Sequence, residues 1–143
     1  MSKVFEAMTR SVFTLPRDAT LAEAAAAMGA HSVEGAPVCD PHGRIVGMVS
    51  KGDLAEGCYS ERLKVRACVG DVMSLDVIRA RPTDDIESVS RRLVFEGAHR
   101  AVVVDENDAV LGIITPLDIL RTALASADTA ARRPPANTSR FGT

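Results

Sequence analysis

The sequence predicts an α+β fold (of α/β type) made of two β-α-β-β-α units, and the main observation behind this prediction is an internal repeat. Aligning the chain with itself at an offset of 65 residues pairs Met8 with Met73, Val12 with Val77, Asp40 with Asp105, Gly47 with Gly112, and Asp53 with Asp118. The apolar and turn patterns also follow the same order in both copies. Because a unit of about 50 residues buries little apolar surface alone, we expect the copies to pack about a pseudo-twofold axis.

The elements of the first copy follow from local patterns. Thr20 and Glu23 form a capping box, which predicts that a helix begins there and continues through the alanine run to about Met28. The sequence Asp40-Pro41-His42-Gly43 is typical of a turn between two strands. We therefore predict a strand at 12–14, a helix at 20–28, a hairpin of strands 36–39 and 44–49, and a second helix from Lys51.

The second copy repeats this order. Ile86, Val89, Leu93 and Gly97 recur at the spacing of a helix that faces a core, which predicts a helix over 84–96. The other predicted elements are strands at 77–80, 101–104 and 109–114 and a helix from Pro116. We place the first copy at 4–58, an exposed linker at 59–70, the second copy at 71–126, and a disordered tail at 127–143, where prolines and arginines replace the periodic pattern.

Composition excludes several classes of protein. A chain of 143 residues with 46% hydrophobic residues can bury a core without a disulfide or metal. A formal net charge of -2 gives no basic excess for nucleic acid, and no apolar run reaches the ~18 residues of a membrane span. Three cysteines without CxxC spacing favour a reducing cytoplasm. Cys39 and His42, with His31 or Cys58, do not form the paired ligand spacing of a zinc site, so we predict no metal.

Two junctions between a strand and a helix carry the same motif. The first junction is Gly47–Asp53 and the second is Gly112–Asp118, each with Gly, two apolar residues, a hydroxyl residue and then Asp three positions later. A carboxylate in the first turn of a helix can accept the two hydroxyls of a ribose beside an anion-binding helix start. The same spacing is also that of a plain capping box. Recurrence in both copies favours a ligand-binding role.

These motifs resemble those of the paired cystathionine-β-synthase (CBS) domain, or Bateman module. The resemblance covers about residues 4–124 and includes the sequences Ala7-Met8-Thr9, Asp71-Val72-Met73-Ser74, Ala36-Pro37-Val38 and Ala101-Val102-Val103-Val104-Asp105, with both junctions. It implies two repeats packed sheet to sheet, a homodimer, and clefts that bind AMP, ADP, ATP or S-adenosylmethionine. It also implies a regulatory protein that is not an enzyme and requires no cofactor.

The resemblance assigns a role to each candidate site residue. Asp53 and Asp118 would hold ribose hydroxyls, and Ser50 and Thr115 would contact ribose or phosphate. His99 and Arg100 would contact phosphate, whereas the equivalent residues of the first copy, Glu34 and Gly35, carry no positive charge. We therefore expect one occupied site per chain. Val12 and Val77, with neighbouring strand residues, would line the adenine slots, and Lys51 would supply a further phosphate contact. Arg79 would reach a cleft, and the other ligand-binding candidates are Ala36, Pro37 and Ala101.

The sequence thus predicts a stand-alone cytoplasmic sensor that binds an adenosine-containing ligand between its copies. The regulated protein is not identified by the sequence, and neither nucleic acid nor a membrane is an expected partner. Two other classes stay open. One is a ligand-free structural or protein-interaction module whose junctions only cap helices, and the other is a small metal- or thiol-dependent enzyme or stress protein.

Overall fold

The computed structural model describes residues 2–59 and 67–130. The first set of elements is α1 (Val4–Ala7), β1 (Leu15–Pro16), α2 (Leu21–Ala30), β2 (Gly35–Cys39), β3 (Ile45–Ser50) and α3 (Lys51–Tyr59). The second set is α4 (Val69–Val72), β4 (Arg79–Ala80), α5 (Ile86–Glu96), β5 (Ala101–Val104), β6 (Val110–Ile114) and α6 (Pro116–Ala130). The predicted α+β duplication is confirmed.

The two sheets share one topology and one register. Each has three strands, in the order β1-β2-β3 and β4-β5-β6, with a parallel first pair and an antiparallel hairpin. Ala36 lies opposite Val49 in one hairpin, and Ala101 lies opposite Ile114 in the other. The register shifts after Val38 and after Val103, which are equivalent positions. The duplication therefore extends to irregularities of the strands.

The helices form where the local sequence predicts them. The Glu23 N–H donates to Thr20 Oγ1 at 3.0 Å and the Thr20 N–H donates to Glu23 Oε1 at 2.9 Å, so the predicted capping box opens α2. The apolar stripe of α5 is buried, and Gly97 ends that helix with φ 64°, a left-handed conformation that suits glycine. Both helices then pack on the hairpin of their own copy.

The opening segment of each copy packs against the other copy. Val4 of α1 is fully buried in the core of the second copy, and Val69 of α4 is fully buried in the core of the first. We therefore call the elements β1–β3, α2, α3 and α4 the first half, and β4–β6, α1, α5 and α6 the second half. The sequence analysis did not predict α1 and α4, because helices of four residues have no periodic pattern to detect.

The exchanged segments explain why glycine recurs in the junction motif. Thr9 bridges to Ile113 and Ser74 bridges to Met48, so each segment lies along the last strand of the other copy. A Cβ on Gly47 would lie 2.9 Å from the carbonyl oxygen of Ser74, and one on Gly112 would lie 2.8 Å from that of Thr9. Only glycine leaves room for these backbones to approach.

A third apolar cluster joins the two sheets. It contains the buried residues Ile45, Val102 and Val104, with Met48, Val77 and Val110 packed against them. Arg44 also bridges to Ala109, which joins the two hairpins through their backbones. Full burial of a side chain of this size contributes roughly 1.5–3 kcal/mol relative to exposure. Sheet-to-sheet packing of the repeats is confirmed.

Some predicted boundaries differ from the structure. The first ladder pairs are Leu15 with Val38 and Pro16 with Cys39, so the strand predicted at 12–14 lies at 15–16 instead. Helix α6 continues to Ala130, so residues 127–130 of the predicted tail are helical. Residues 60–66 of the predicted linker and 131–143 of the predicted tail lie outside the described residues. Within the described ranges, no helix combines the length and apolar character needed to cross a membrane.

Candidate ligand cleft

A cavity of about 660 Å³ opens between the two copies at the first junction. We call it the junction cleft. The first copy contributes Met48, Val49, Ser50 and Asp53; the second contributes Ser74, Leu75, Asp76, Val77, Ile78, Arg92, Glu96, Ala98, His99, Arg100 and Val102. Its volume is that of a small-molecule site, and its lining combines apolar walls with a few polar groups.

The first junction caps a helix and keeps one carboxylate oxygen free. The Ser50 N–H donates to Asp53 Oδ2 at 2.8 Å, and the Asp53 N–H donates to Ser50 Oγ at 3.1 Å. Asp53 Oδ1 has no hydrogen bond to any residue that the structure describes, and the side chain is only partly buried. Asp53 can therefore cap α3 and accept a ligand hydroxyl at the same time.

Three basic side chains line the same cleft. Arg92 lies on α5, and His99 and Arg100 precede β5. None of them forms a hydrogen bond or ion pair with another residue of the described ranges. Asp76 and Glu96 line the cleft as well, so both signs of charge are present. The cleft is suited to a ligand with hydroxyl groups and an ionic group.

The second junction is engaged by the protein itself. Asp118 Oδ2 accepts from the Thr115 N–H at 2.9 Å and from Thr115 Oγ1 at 3.0 Å. Asp118 Oδ1 lies 3.5 Å from Thr9 Oγ1, which donates to it, and the residue is 8% exposed. The equivalent of Thr9 is Ser74, whose Oγ instead accepts from the Asp76 N–H at 3.2 Å. Both oxygens of Asp118 thus have protein partners.

The surroundings of the second junction also differ in sequence. Phe13 and His31 stack with ring centroids 4.3 Å apart, at the positions equivalent to Ile78 and Glu96 of the cleft. Glu34, equivalent to His99, pairs with Lys51 at 3.4 Å. At these equivalent positions the first copy therefore has stacked rings and an internal ion pair, whereas the junction cleft has an apolar wall and basic groups without a partner in the described ranges.

The structure brings together five of the predicted site residues, namely Ser50, Asp53, Val77, His99 and Arg100. Thr115 and Asp118 belong to the second junction, and Val12, the repeat equivalent of Val77, does not line the junction cleft. The remaining residues do not line the junction cleft: Ala36, Pro37 and Ala101 are buried, Lys51 pairs with Glu34, and Arg79 Nε lies 3.3 Å from Asp108 Oδ1.

Strand alternation explains the displaced alanines. Ala36 and Ala101 belong to the cores beneath the helices, whereas Val102 belongs to the cluster between the sheets and lines the cleft. Successive side chains of a strand point to opposite faces, so Val102 lines the cleft where Ala101 was predicted.

The sequence analysis also missed charged residues of the cleft. Arg92 and Glu96 line it together with His99, at spacings of four and three residues along and just beyond α5. That spacing places side chains on one face of a helix, so the pattern could have identified them. Asp76 follows the exchanged segment, whose position depends on long-range packing and has no comparable sequence signal.

The thiols show no metal-binding arrangement. Burial raises the pKa of the Cys39 thiol, and the neighbouring Asp40 carboxylate adds to this effect. In the part of the chain that the structure describes, no three or more His, Cys, Asp or Glu side chains are grouped to hold a metal ion.

A model of the CBS domain matches the chain twice, at residues 4–59 and 69–125. The chain belongs to the CBS domain family. It is a tandem pair, or Bateman module, because both matches lie in one chain and each contains one junction.

Known proteins with the same fold include relatives of similar length. The CBS domain-containing protein YhcV of Bacillus subtilis is 30% identical over 119 residues, which cover 83% of this chain and 84% of that protein. A putative acetoin utilization protein (AcuB) from Vibrio cholerae has TM-score 0.81 and 28% identity, with 94% of this chain and 99% of that chain covered. CBSX2 of Arabidopsis thaliana, solved in complex with AMP, has TM-score 0.80 and 26% identity, with 89% and 99% covered. Three other curated relatives are longer, and this chain spans 38%, 23% and 41% of them.

Proposed function

We propose that this CBS domain pair is a regulatory module that binds an adenosine-containing ligand in the junction cleft. The observation that carries the proposal is one cavity that combines Asp53 Oδ1 with the guanidinium of Arg100, neither of which has a partner among the residues that the structure describes. Asp53 accepts ribose hydroxyls, and the apolar walls at Val77, Ile78 and Val102 pack against adenine. The likeness to CBSX2, solved with AMP, supports this ligand class.

The ligand is a phosphorylated adenosine compound such as AMP, ADP or ATP. Arginine matches phosphate oxygens with two parallel hydrogen bonds, and both Arg92 and Arg100 are unpaired within the described residues. S-adenosylmethionine is the alternative, since its cationic groups would face Asp76 and Glu96. In both cases the protein binds a ligand without chemical change and requires no cofactor.

Regulation follows from the position of the cleft between the copies. A bound ligand contacts both copies, so it stabilises one relative arrangement of the two halves over others. A partner protein that recognises this arrangement then responds to the ligand concentration. We propose that this regulation takes place in the cytoplasm.

The chain acts as a homodimer, as the family resemblance implies. Support comes from α5 and α6, where Val94, Leu117, Leu120 and Leu124 are 80%, 53%, 52% and 57% exposed. Apolar side chains grouped on one face favour burial against another protein surface.

The test is isothermal titration calorimetry with AMP, ADP, ATP and S-adenosylmethionine. We expect the wild-type chain to bind one phosphorylated ligand per chain. Asp53→Ala should weaken binding about 10- to 100-fold, because hydrogen bonds to a charged group contribute about 1.5–3 kcal/mol. Asp118→Ala is the matched control and should leave affinity unchanged. If no compound binds, or if Asp118→Ala has the larger effect on affinity, the proposal is wrong.

A further inference from the structure

Equivalent positions of the two copies meet beside the junction cleft. Gly35 precedes Ala36 at the start of β2, and Arg100 precedes Ala101 at the start of β5, so the two residues correspond in the repeat. A Cβ built on Gly35 would lie 2.0 Å from Arg100 Nη1 and 3.0 Å from Arg100 Cζ. The guanidinium of the second copy thus occupies the space where a side chain of the first copy would stand.

We infer that Gly35 is a specificity-determining position, because its missing side chain lets Arg100 lie across the boundary between the copies and contact the ligand phosphate. Gly35 pairs with Ser50 in the hairpin, so the guanidinium lies close to the strand end where α3 begins. The start of a nine-residue helix and a guanidinium both favour an anion. This inference rests on the proposed function and adds Gly35 to the residues that determine its preference for a phosphorylated ligand.

The same contact accounts for a difference between the two junctions, since among the described residues Arg100 lines the junction cleft and its equivalent, Gly35, has no side chain to bind phosphate. Two arginines at positions 35 and 100 would compete for one space and would repel each other. A glycine at one of the two positions gives the space to the other residue. The position of Arg100 in the second copy therefore requires a glycine at the equivalent position of the first copy, which is Gly35.

A substitution at Gly35 should move Arg100 rather than unfold the protein. The shortest predicted contact involves the tip of a flexible side chain, whereas the backbone contact, with the Val49 carbonyl oxygen, is 3.2 Å. Arg100 can rotate away from an added methyl group at small cost in stability. We therefore expect a substitution at Gly35 to change the affinity for a phosphorylated ligand more than the stability of the fold.

The experiment is a double-mutant cycle of Gly35→Ala, Arg100→Ala and the double variant, titrated with AMP and with adenosine. We expect each single change to weaken AMP binding about 10- to 100-fold, the range for a lost hydrogen bond to a charged group. The double variant should bind AMP as Arg100→Ala does, and adenosine affinity should stay constant in all four proteins. Gly29→Ala is the matched control, since a Cβ there meets nothing within 4 Å.

The outcomes separate this inference from the proposed function. If wild type binds no adenosine compound, the proposed function fails and this inference fails with it. If wild type binds AMP but Gly35→Ala binds equally well, loses adenosine affinity in parallel, or weakens AMP further in the Arg100→Ala background, only the inference about Gly35 is overturned. Should Gly35→Ala alone fail to fold, a folded double variant would support the contact with Arg100, and an unfolded one would attribute the defect to Val49 and overturn it.

Discussion

The two junctions share a motif and a cap, yet they differ in what remains available to a ligand. At the first, Asp53 uses Oδ2 for the cap and leaves Oδ1 without a partner among the described residues. At the second, Asp118 is 8% exposed and the Thr9 hydroxyl donates to its Oδ1 at 3.5 Å. A cap shared by both copies can thus be kept for helix formation while the ligand-binding potential of the same carboxylate changes.

The neighbours of each carboxylate determine this difference. His99 and Arg100 face the first junction, whereas Glu34 is paired with Lys51 and Gly35 has no side chain. After a duplication, one copy can keep the capping interaction that begins its helix without keeping the ligand contact. Because capping and binding use different atoms of one side chain, the two functions can diverge independently.

The largest stability difference is expected between the two aspartates. Asp118→Ala removes the acceptor of the Thr115 and Thr9 hydrogen bonds at a buried site and should lower the free energy of unfolding by about 1–3 kcal/mol. Asp53→Ala removes a more exposed cap. Loss of a cap lowers the free energy of unfolding by about 0.5–2 kcal/mol, and we expect a value near the lower limit of this range for Asp53→Ala. Urea unfolding of both variants measures the two losses in the free energy of unfolding and shows which is larger.

Equal losses in the two variants would show that the hydrogen bond from Thr9 contributes nothing measurable. Asp118→Asn provides the matched control, because it keeps the size of the side chain while it removes the charge. A loss for Asp118→Asn close to that for Asp118→Ala would assign the effect to the charged acceptor.

Much of the fold could be predicted because it depends on local sequence. Thr20 and Glu23 predicted the start of α2, and the stripe at Ile86, Val89 and Leu93 predicted the buried face of α5. The repeated junctions predicted Ser50 and Asp53 as residues of one cleft, which the cavity now contains. Capping and periodicity are short-range properties, so one sequence is enough to detect them.

The rest depended on contacts between distant residues. The exchange of Val4 and Val69 between the copies has no local signal, and neither has the position of Asp76 beyond an exchanged segment. Lys51 was predicted from its place beside a helix start, but its partner Glu34 is 17 residues earlier. The two junctions could not be distinguished from their motifs, because Thr9 and Arg100 reach them from the other copy.

A smaller effect is expected for the stacked rings of Phe13 and His31. Phe13→Leu keeps an apolar side chain but removes the stack on His31, which should lower stability by about 0.5–1.5 kcal/mol. AMP affinity should not change, since Phe13 does not line the junction cleft. The matched variant is Ile78→Ala at the equivalent position, which should weaken AMP binding. Thermal unfolding and titration of both variants test this, and a loss of AMP affinity in Phe13→Leu would place the ligand at the second junction instead.

The smallest effect is expected from acid, and it should be unequal between the halves. In the first half, N–H groups of Thr20, Arg44 and Cys68 donate to Glu23, Asp40 and Asp71 and lower the pKa of each carboxyl. In the second half, the Lys3 ammonium at 2.8 Å lowers the pKa of Asp85.

A lowered pKa means that the unfolded chain binds the proton more tightly than the folded chain. The stabilisation is therefore complete above the ordinary carboxyl pKa near 4 and is lost as the pH falls through the lower folded values. The urea midpoint should be constant down to about pH 5 and should decrease from about pH 4 to about pH 3. Asp71→Asn should flatten this decrease, since the amide has no proton to gain. Because three of these four carboxyls lie in the first half, acid should reduce the hydrogen-exchange protection of the hairpin β2–β3 more than that of the hairpin β5–β6. An equal loss of hydrogen-exchange protection in both hairpins at low pH would show instead that the halves unfold as one cooperative unit.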